Sequence, residues 1–200
     1  AKDGTGASFL GNCTDFHSGQ FNCSIEDISV LIAEETPSAD VFGNTPLINF
    51  CGMVARPNYR GNPEKTKEAF KQLIAKSDVN AVNQRGRTAL HECLRVADYS
   101  RRGEVRDLAY AQMLVDAGAD LGKKDIHGLI PAQMLFVERF TTYGGMSVRS
   151  SEEILVAAQT FGKDSLNLKA PFPIFDKPLK EIFIEGGDAG TAMVIERFGG

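Results

Sequence analysis

The sequence predicts an all-α chain: a stack of about three long helical repeats, closed by irregular capping ends. Three observations predict it. One stretch recurs, as Gly43-Asn44-Thr45-Pro46-Leu47-Ile48-Asn49-Phe50, then Gly86-Arg87-Thr88-Ala89-Leu90-His91-Glu92-Cys93-Leu94, then Gly128-Leu129-Ile130-Pro131-Ala132-Gln133-Met134-Leu135. Its glycines are spaced by 43 and then 42 residues, and a fixed period of roughly 20 to 50 residues marks a stacked repeat protein. Each copy also opens as a helix opens. The hydroxyl of Thr45 or Thr88 caps a backbone N–H, and Pro46 or Pro131 suits the first helical position, where its missing N–H leaves nothing unpaired. Finally, Leu73-Ile74-Ala75-Lys76-Ser77-Asp78-Val79-Asn80 and Met113-Leu114-Val115-Asp116-Ala117-Gly118-Ala119-Asp120-Leu121 are apolar helix ends running into polar turns. Leucines recur on one face of these helices. A single helix pair cannot bury that face, so neighbouring pairs stack into a continuous seam.

Residues 1–24 have no period and read as an irregular N-terminal arm. Ser24-Ile25-Glu26-Asp27 is a capped start, with Ser24 at the cap and Asp27 three residues on. A terminal helix therefore closes the stack over 25–39, with Ile28, Leu31 and Ile32 on its apolar face and Thr36-Pro37-Ser38 ending it. Repeat one runs from about Asp40, with helices near 45–54 and 64–76 and a break from Pro57 to Pro63. Repeat two has helices near 88–99 and 104–117. Repeat three has helices near 131–140 and 151–161, separated by Thr141-Thr142-Tyr143-Gly144-Gly145, with Ser151 and the Glu152-Glu153 pair marking the second start. The three repeats fill 40–165. A C-terminal cap and tail over 166–200 completes the single domain. There Ala170-Pro171-Phe172-Pro173-Ile174-Phe175 is stiff and apolar, and Lys177-Pro178-Leu179-Lys180-Glu181-Ile182-Phe183 reads as a short capping helix. The glycine-rich tail from Gly186 to Gly200 makes one strand-like contact through Met193-Val194-Ile195.

This pattern resembles the ankyrin repeat, whose unit is a turn, a helix opened by Thr-Pro-Leu-His, a second helix, then Gly-Ala-Asp and an extended finger. The second copy carries most of it: Gly86, Thr88, Ala89, Leu90 and His91, followed by Ala117-Gly118-Ala119-Asp120. The flanking copies keep Thr45-Pro46-Leu47 and Pro131. The resemblance covers about residues 25 to 165 and implies an ankyrin-repeat solenoid. Ankyrin units are usually about 33 residues, so these are longer, with the extra residues between the paired helices at 55–66, 95–107 and 138–151. The resemblance also implies that His91 serves hydrogen bonding within its turn, and that finger tips and the inner helix face are the partner surfaces.

Composition narrows the function classes. The chain has 200 residues, 42% hydrophobic, with no long apolar run, ample for one core and without a transmembrane segment. A net charge of -4 and a pI near 5.4, with Lys and Arg scattered, offer no basic field for nucleic acid. The N-terminus, Ala1-Lys2-Asp3, reads either as a truncation or as a chain whose signal peptide was removed. Cys13 and Cys23 bracket a Gly-, Asn- and Ser-rich segment containing Phe16 and Phe21. Such a pair is expected to form a disulfide clamp, which persists in oxidising compartments; two free thiols in a cytosolic protein are the alternative. Cys51 and Cys93, on the first helices of adjacent repeats, read as buried thiols.

No catalytic, metal or cofactor motif emerges. His17, His91 and His127 have no partner at metal-ligand spacing. His91-Glu92 matches the start of a zinc-protease helix, but Arg95 stands where the second histidine is needed. Gly4-Thr5-Gly6 and Gly186-Gly187 lack the strand and helix of a phosphate loop. Asn12-Cys13-Thr14 and Asn22-Cys23-Ser24 match the glycosylation triplet only formally.

The residues expected to bind are therefore on the fingers: Val41 and Phe42; Val82, Asn83, Gln84 and Arg85; Lys123, Lys124, Asp125 and Ile126. Phe42 reads equally as an anchor or as packing under the next finger. Tyr99, Arg101 and Arg102 have the composition of an interface hot spot, against the alternative of a solvated helix end. The expected function is rigid recognition of one protein partner by a chain that is monomeric alone, without nucleic acid or membrane. The long repeats and irregular ends look like the periplasmic ankyrin proteins of predatory bacteria that block the producer's own cell-wall peptidases. That resemblance implies a non-catalytic, periplasmic inhibitor that masks an enzyme of its own compartment for self-protection. The alternative is a cytosolic scaffold or secreted effector that recruits another protein. A hydrolase on the same frame would need His17 beside Asp15 or Cys13.

Overall fold

A computed structural model of the chain describes residues 8–14, 23–54, 61–95, 108–135, 155 and 158–200. Its architecture is all-α, as expected. Eight α-helices are described: α1 (Phe9–Thr14), α2 (Ile25–Glu34), α3 (Pro46–Val54), α4 (Pro63–Ala75), α5 (Ala89–Leu94), α6 (Ala109–Asp116), α7 (Leu179–Glu185) and α8 (Ala189–Arg197). Two 3-10 turns, Pro131–Leu135 and Lys163–Leu166, and one small hairpin, β1 (Pro171–Phe172) with β2 (Lys177–Pro178), complete the described elements.

The caps expected at Ser24 and Thr45 form, and Asn62 supplies a further one. Ser24 Oγ accepts from the Asp27 amide at 3.1 Å, while the Asp27 carboxylate accepts from the Ser24 amide at 2.9 Å, pairing two of the donors a helix start leaves orphaned. Thr45 Oγ1 accepts from the Ile48 amide at 3.2 Å. Asn62 caps α4 through the Lys65 amide at 3.1 Å, with Pro63 at the first position.

Helices pack in two rows. α1 lies against α3, α3 against α5, and α5 against the 131–135 turn; α2 lies against α4, and α4 against α6. Each row member also packs on its partner in the other row, α1 on α2, α3 on α4 and α5 on α6. Between them runs a single apolar cluster from Leu10 to Ile195. At its centre Phe50 stacks on Phe70 at 5.4 Å, and Phe70 meets Tyr110 edge-on at 5.2 Å, which joins α3, α4 and α6. Offset and edge-on ring pairs of this kind add to plain area burial.

The structure corrects four expectations. Within the arm expected to be irregular, residues 9–14 form α1, because Ser8 Oγ accepts from the Gly11 amide at 3.0 Å and Leu10 and Cys13 bury against the core. In the second copy α5 ends at Leu94 rather than 99, with Arg95 extended, and α6 begins at Ala109 rather than 104. In the third, the described part of the first helix, Pro131–Leu135, is a 3-10 turn, and 136–140 lie outside the described residues. Finally, the tail expected to make a strand-like contact is α8. Asp188 caps it through the Thr191 amide at 2.9 Å, and Thr191, Ala192 and Ile195 bury against α7, whose place matches the predicted capping helix.

Candidate binding surface

The recurring stretch builds one turn three times. At Asp40, Asn83 and Asp125 a side-chain oxygen accepts from the backbone amides two and four residues on: Phe42 and Asn44 at 2.8 and 2.9 Å, Arg85 and Arg87 at 2.9 and 3.1 Å, His127 and Leu129 at 2.8 and 3.0 Å. The same residue's carbonyl accepts from the glycine three on, Gly43, Gly86 or Gly128, at 3.0, 2.8 and 2.9 Å. Short Asx side chains suit this because they mimic a turn of backbone. Each glycine sits at positive φ, 77°, 69° and 80°.

The turns are bonded to one another in order. The Gln84 amide donates to the Phe42 carbonyl at 2.9 Å, and the Ile126 amide donates to the Arg85 carbonyl at 3.0 Å. Side chains repeat the link. Asn83 Nδ2 donates to Asn44 Oδ1 at 3.0 Å, Gln84 Nε2 to the Val41 carbonyl at 2.7 Å, and Arg87 Nε to Asp125 Oδ2 at 3.2 Å. Farther back, Asn80 spans the turns after α4 and α6, donating to the Gly118 carbonyl at 3.0 Å and accepting from the Asp120 amide at 2.8 Å. Three loops thus become one rigid edge.

Most residues expected to bind stand along this edge. Val41, Phe42, Val82, Gln84, Arg85, Lys123, Lys124 and Ile126 are all exposed. Phe42, at 56% exposure, is not packed under its neighbour. Asp125 is the correction. Expected at the surface, it is 6% exposed, its carboxylate taken by Arg87 and its own turn. Asn83 is half-buried in the same internal role. Tyr99, Arg101 and Arg102 lie outside the described residues, as do Asp15 and His17.

Below the edge, His91 ties one copy to the next. The Thr88 amide donates to its Nδ1 at 3.1 Å, so the ring proton resides on Nε2, 3.1 Å from the Leu129 carbonyl. Burial lowers its pKa, outweighing the Leu129 carbonyl and nearby Asp125, which favour the charged form. The neutral imidazole is a structural brace between the two copies. Arg87 and Glu92 flank it, the latter 3.0 Å from Arg95.

Cys13 and Cys23 are bonded, with Cα atoms 5.5 Å apart, which ties α1 to the cap of α2. Cys51 and Cys93 are free and buried. Burial pushes the Cys51 thiol pKa up, and the neighbouring Cys93 thiol adds to the shift. Among the described residues no group of three or more His, Cys, Asp or Glu side chains is arranged to hold a metal ion, and no helix is long and apolar enough to cross a membrane. Compared with known protein families and with curated proteins, the chain finds no match.

Proposed function

We propose that this chain is an ankyrin-type recognition module that works outside the cytoplasm and sterically masks one partner enzyme, a peptidoglycan peptidase of its own compartment. The observation that carries the reading is the edge of turns bonded backbone to backbone, from whose tips Val41, Phe42, Val82 and Ile126 project into solvent. Exposed apolar residues held on a rigid frame suit recognition, because little conformational freedom is lost on docking. The two helix rows and the repeated turn support the ankyrin reading, and the Cys13–Cys23 bond fits an oxidising compartment.

The test is a pull-down from a periplasmic extract with the disulfide-intact chain, followed by identification of the retained protein and assay of its activity in the complex. A retained cell-wall peptidase that is silent while bound is the expected result. Recovery of no enzyme, or of one fully active in the complex, would sink the inhibitor reading, and the second outcome would favour a recruiting scaffold.

A further inference from the structure

Beyond the three predicted fingers, the β1–β2 hairpin repeats their turn by different means. The Phe175 amide donates to the Phe172 carbonyl at 3.0 Å, the same three-residue closure as Gly43 on Asp40. No Asx side chain stands at its head. Instead Phe172, 0% exposed, anchors the hairpin in the core, the strand pairs Pro171 with Pro178 and Phe172 with Lys177, and Asp176 takes the positive φ. Lys177-Pro178-Leu179 then leads into α7 with the Pro-Leu pair of Thr45-Pro46-Leu47, one residue earlier relative to the helix start and without a side-chain cap. The hairpin is seated on the third turn, since a Cβ placed on Gly128 would stand 3.5 Å from the Pro173 ring. Its tip exposes Ile174, at 47%, and Phe175, whose ring is braced at 6.1 Å by Phe172.

Charge at the tips of the second and third fingers is one-sided. The net charge of the chain is -4, yet the exposed charged side chains of the three finger segments are Arg85, Lys123 and Lys124. Asp125 is turned inward to Arg87. Behind the tips, the exposed carboxylates of Asp78 and Asp120 accept from amides of their own turns at 2.9 and 2.8 Å, and half-buried Asp40 closes the first turn, so the cationic stretch is confined to the tips of the second and third fingers. A short cationic strip is thus bracketed by apolar ends, Val41 and Phe42 at one, Ile174 and Phe175 at the other, with Asp176 as the outlying carboxylate. Three cations are few for a phosphate polymer, and apolar brackets would gain nothing there. They match a protein face on which carboxylates separate two apolar pockets, because complementary charge steers and orients docking.

We infer that the recognition surface has a fourth finger, carrying Ile174 and Phe175, and that the four tips together fit an acidic protein surface with an apolar pocket at each end. The inference rests on the recognition reading above and adds the fourth contact and the chemistry of the partner.

The test places the photo-crosslinking residue p-benzoylphenylalanine at Phe42, at Ile174 and, as a control, at Val30 on α2, in the full disulfide-intact chain with the purified protein retained in the pull-down. Links from positions 42 and 174, but not 30, to peptides bearing Asp and Glu on that same protein are expected. Lys123→Glu with Lys124→Glu, and separately Ile174→Asp, are each expected to weaken binding about tenfold or more, with the wild-type affinity falling as salt rises. Links from position 42 alone, with Ile174→Asp binding as wild type, would overturn the fourth finger while leaving the recognition reading intact. Links from neither would overturn both. Binding of vesicles with about 30% anionic lipid or of a duplex oligonucleotide, lost in the Lys123→Glu, Lys124→Glu variant, would overturn the acidic-protein assignment.

Discussion

His91 reaches 3.1 Å across to the Leu129 carbonyl, so a ring belonging to the helix that opens at Thr88 holds the backbone that opens the next copy. Because that ring must be neutral to accept from Thr88 and donate to Leu129, stability should depend on pH. Burial holds its pKa below the usual imidazole value. Between that lowered value and about 6.5, the unfolded chain binds the proton that the folded chain refuses. The contribution is therefore full above the unfolded value and is lost as pH falls through it, by at most about 1.4 kcal/mol per pH unit. His91→Gln should retain most stability and flatten this slope, since Gln133 already fills the matching position, accepting from the Ile130 amide at 3.0 Å. His91→Ala, which strands a buried amide and carbonyl, should cost about 2–4 kcal/mol. Thermal unfolding at about pH 7.5 and pH 5.5 reads both effects, and an unchanged slope in His91→Gln would assign the pH dependence elsewhere.

Gly86, like Gly43, whose added Cβ would stand 3.0 Å from Asn83 Cα, should be among the least replaceable glycines of the edge. At φ 69°, a Cβ there would stand 3.1 Å from the Ile126 amide nitrogen and 3.2 Å from Asp125 Cα, and backbone cannot swing aside as a side-chain tip can. Gly118 has a φ of 90° but open space around it, so alanine there meets only the conformational penalty. The expected losses are about 2–4 kcal/mol for Gly86→Ala and about 1–2 kcal/mol for Gly118→Ala. Hydrogen exchange at the Ile126 amide, bonded to the Arg85 carbonyl, should rise in the first variant and not in the second.

These two glycines also mark what a sequence can disclose. Gly86 and its copies were legible because one turn, built three times at nearly one spacing, leaves the same residues at the same offsets. Asp40, Asn83 and Asp125 carried an equally regular signal, three residues before each glycine. Their structural role was hidden because Asn83 and Asp125 look like solvent-facing finger residues until Asn44 and Arg87 are seen beside them. The fourth finger was illegible for a physical reason: Phe172 and strand pairing replace the Asx side chain, and Asp176 replaces glycine, leaving Lys177-Pro178-Leu179 as its sole trace. Helices α1 and α8 escaped because six and nine residues are too few to establish a period, and each is fixed by one capping side chain and burial on a neighbour.

Cysteine chemistry should divide two and two. With Cys13 bonded to Cys23 and the other pair buried, native unreduced protein should show no fast-reacting thiol. Denaturant alone should release two, Cys51 and Cys93, which burial shields from reagent in the native chain. Denaturant with reductant should release four. Reduction of the native chain should lower stability by about 2–3 kcal/mol, the chain-entropy value for a loop this short. Four reactive thiols in native, unreduced protein would remove both the clamp and the argument for an oxidising compartment.

The Arg87–Asp125 pair gives the sharpest test of how neighbouring turns hold each other. Asp125 has two tasks: Oδ1 closes its own turn, while Oδ2 accepts from Arg87 Nε at 3.2 Å. Asp125→Asn keeps the first task and removes the charge opposite a guanidinium that is almost fully buried, leaving it Glu92 at 3.7 Å. Breaking one side of a buried pair is costly because the remaining charge stays desolvated, so a loss of about 2–4 kcal/mol is expected. The preceding junction shows the neutral solution, since Asn44 and Asn83 meet there through an amide bond of 3.0 Å. Arg87→Asn added to Asp125→Asn would rebuild that junction one turn later. The double variant should therefore be more stable than Asp125→Asn alone, a non-additivity that chemical denaturation of the two singles and the double measures directly. Simple additivity of the two losses would mean that Arg87 stabilises the edge through Glu92 and its buried stem rather than through Asp125.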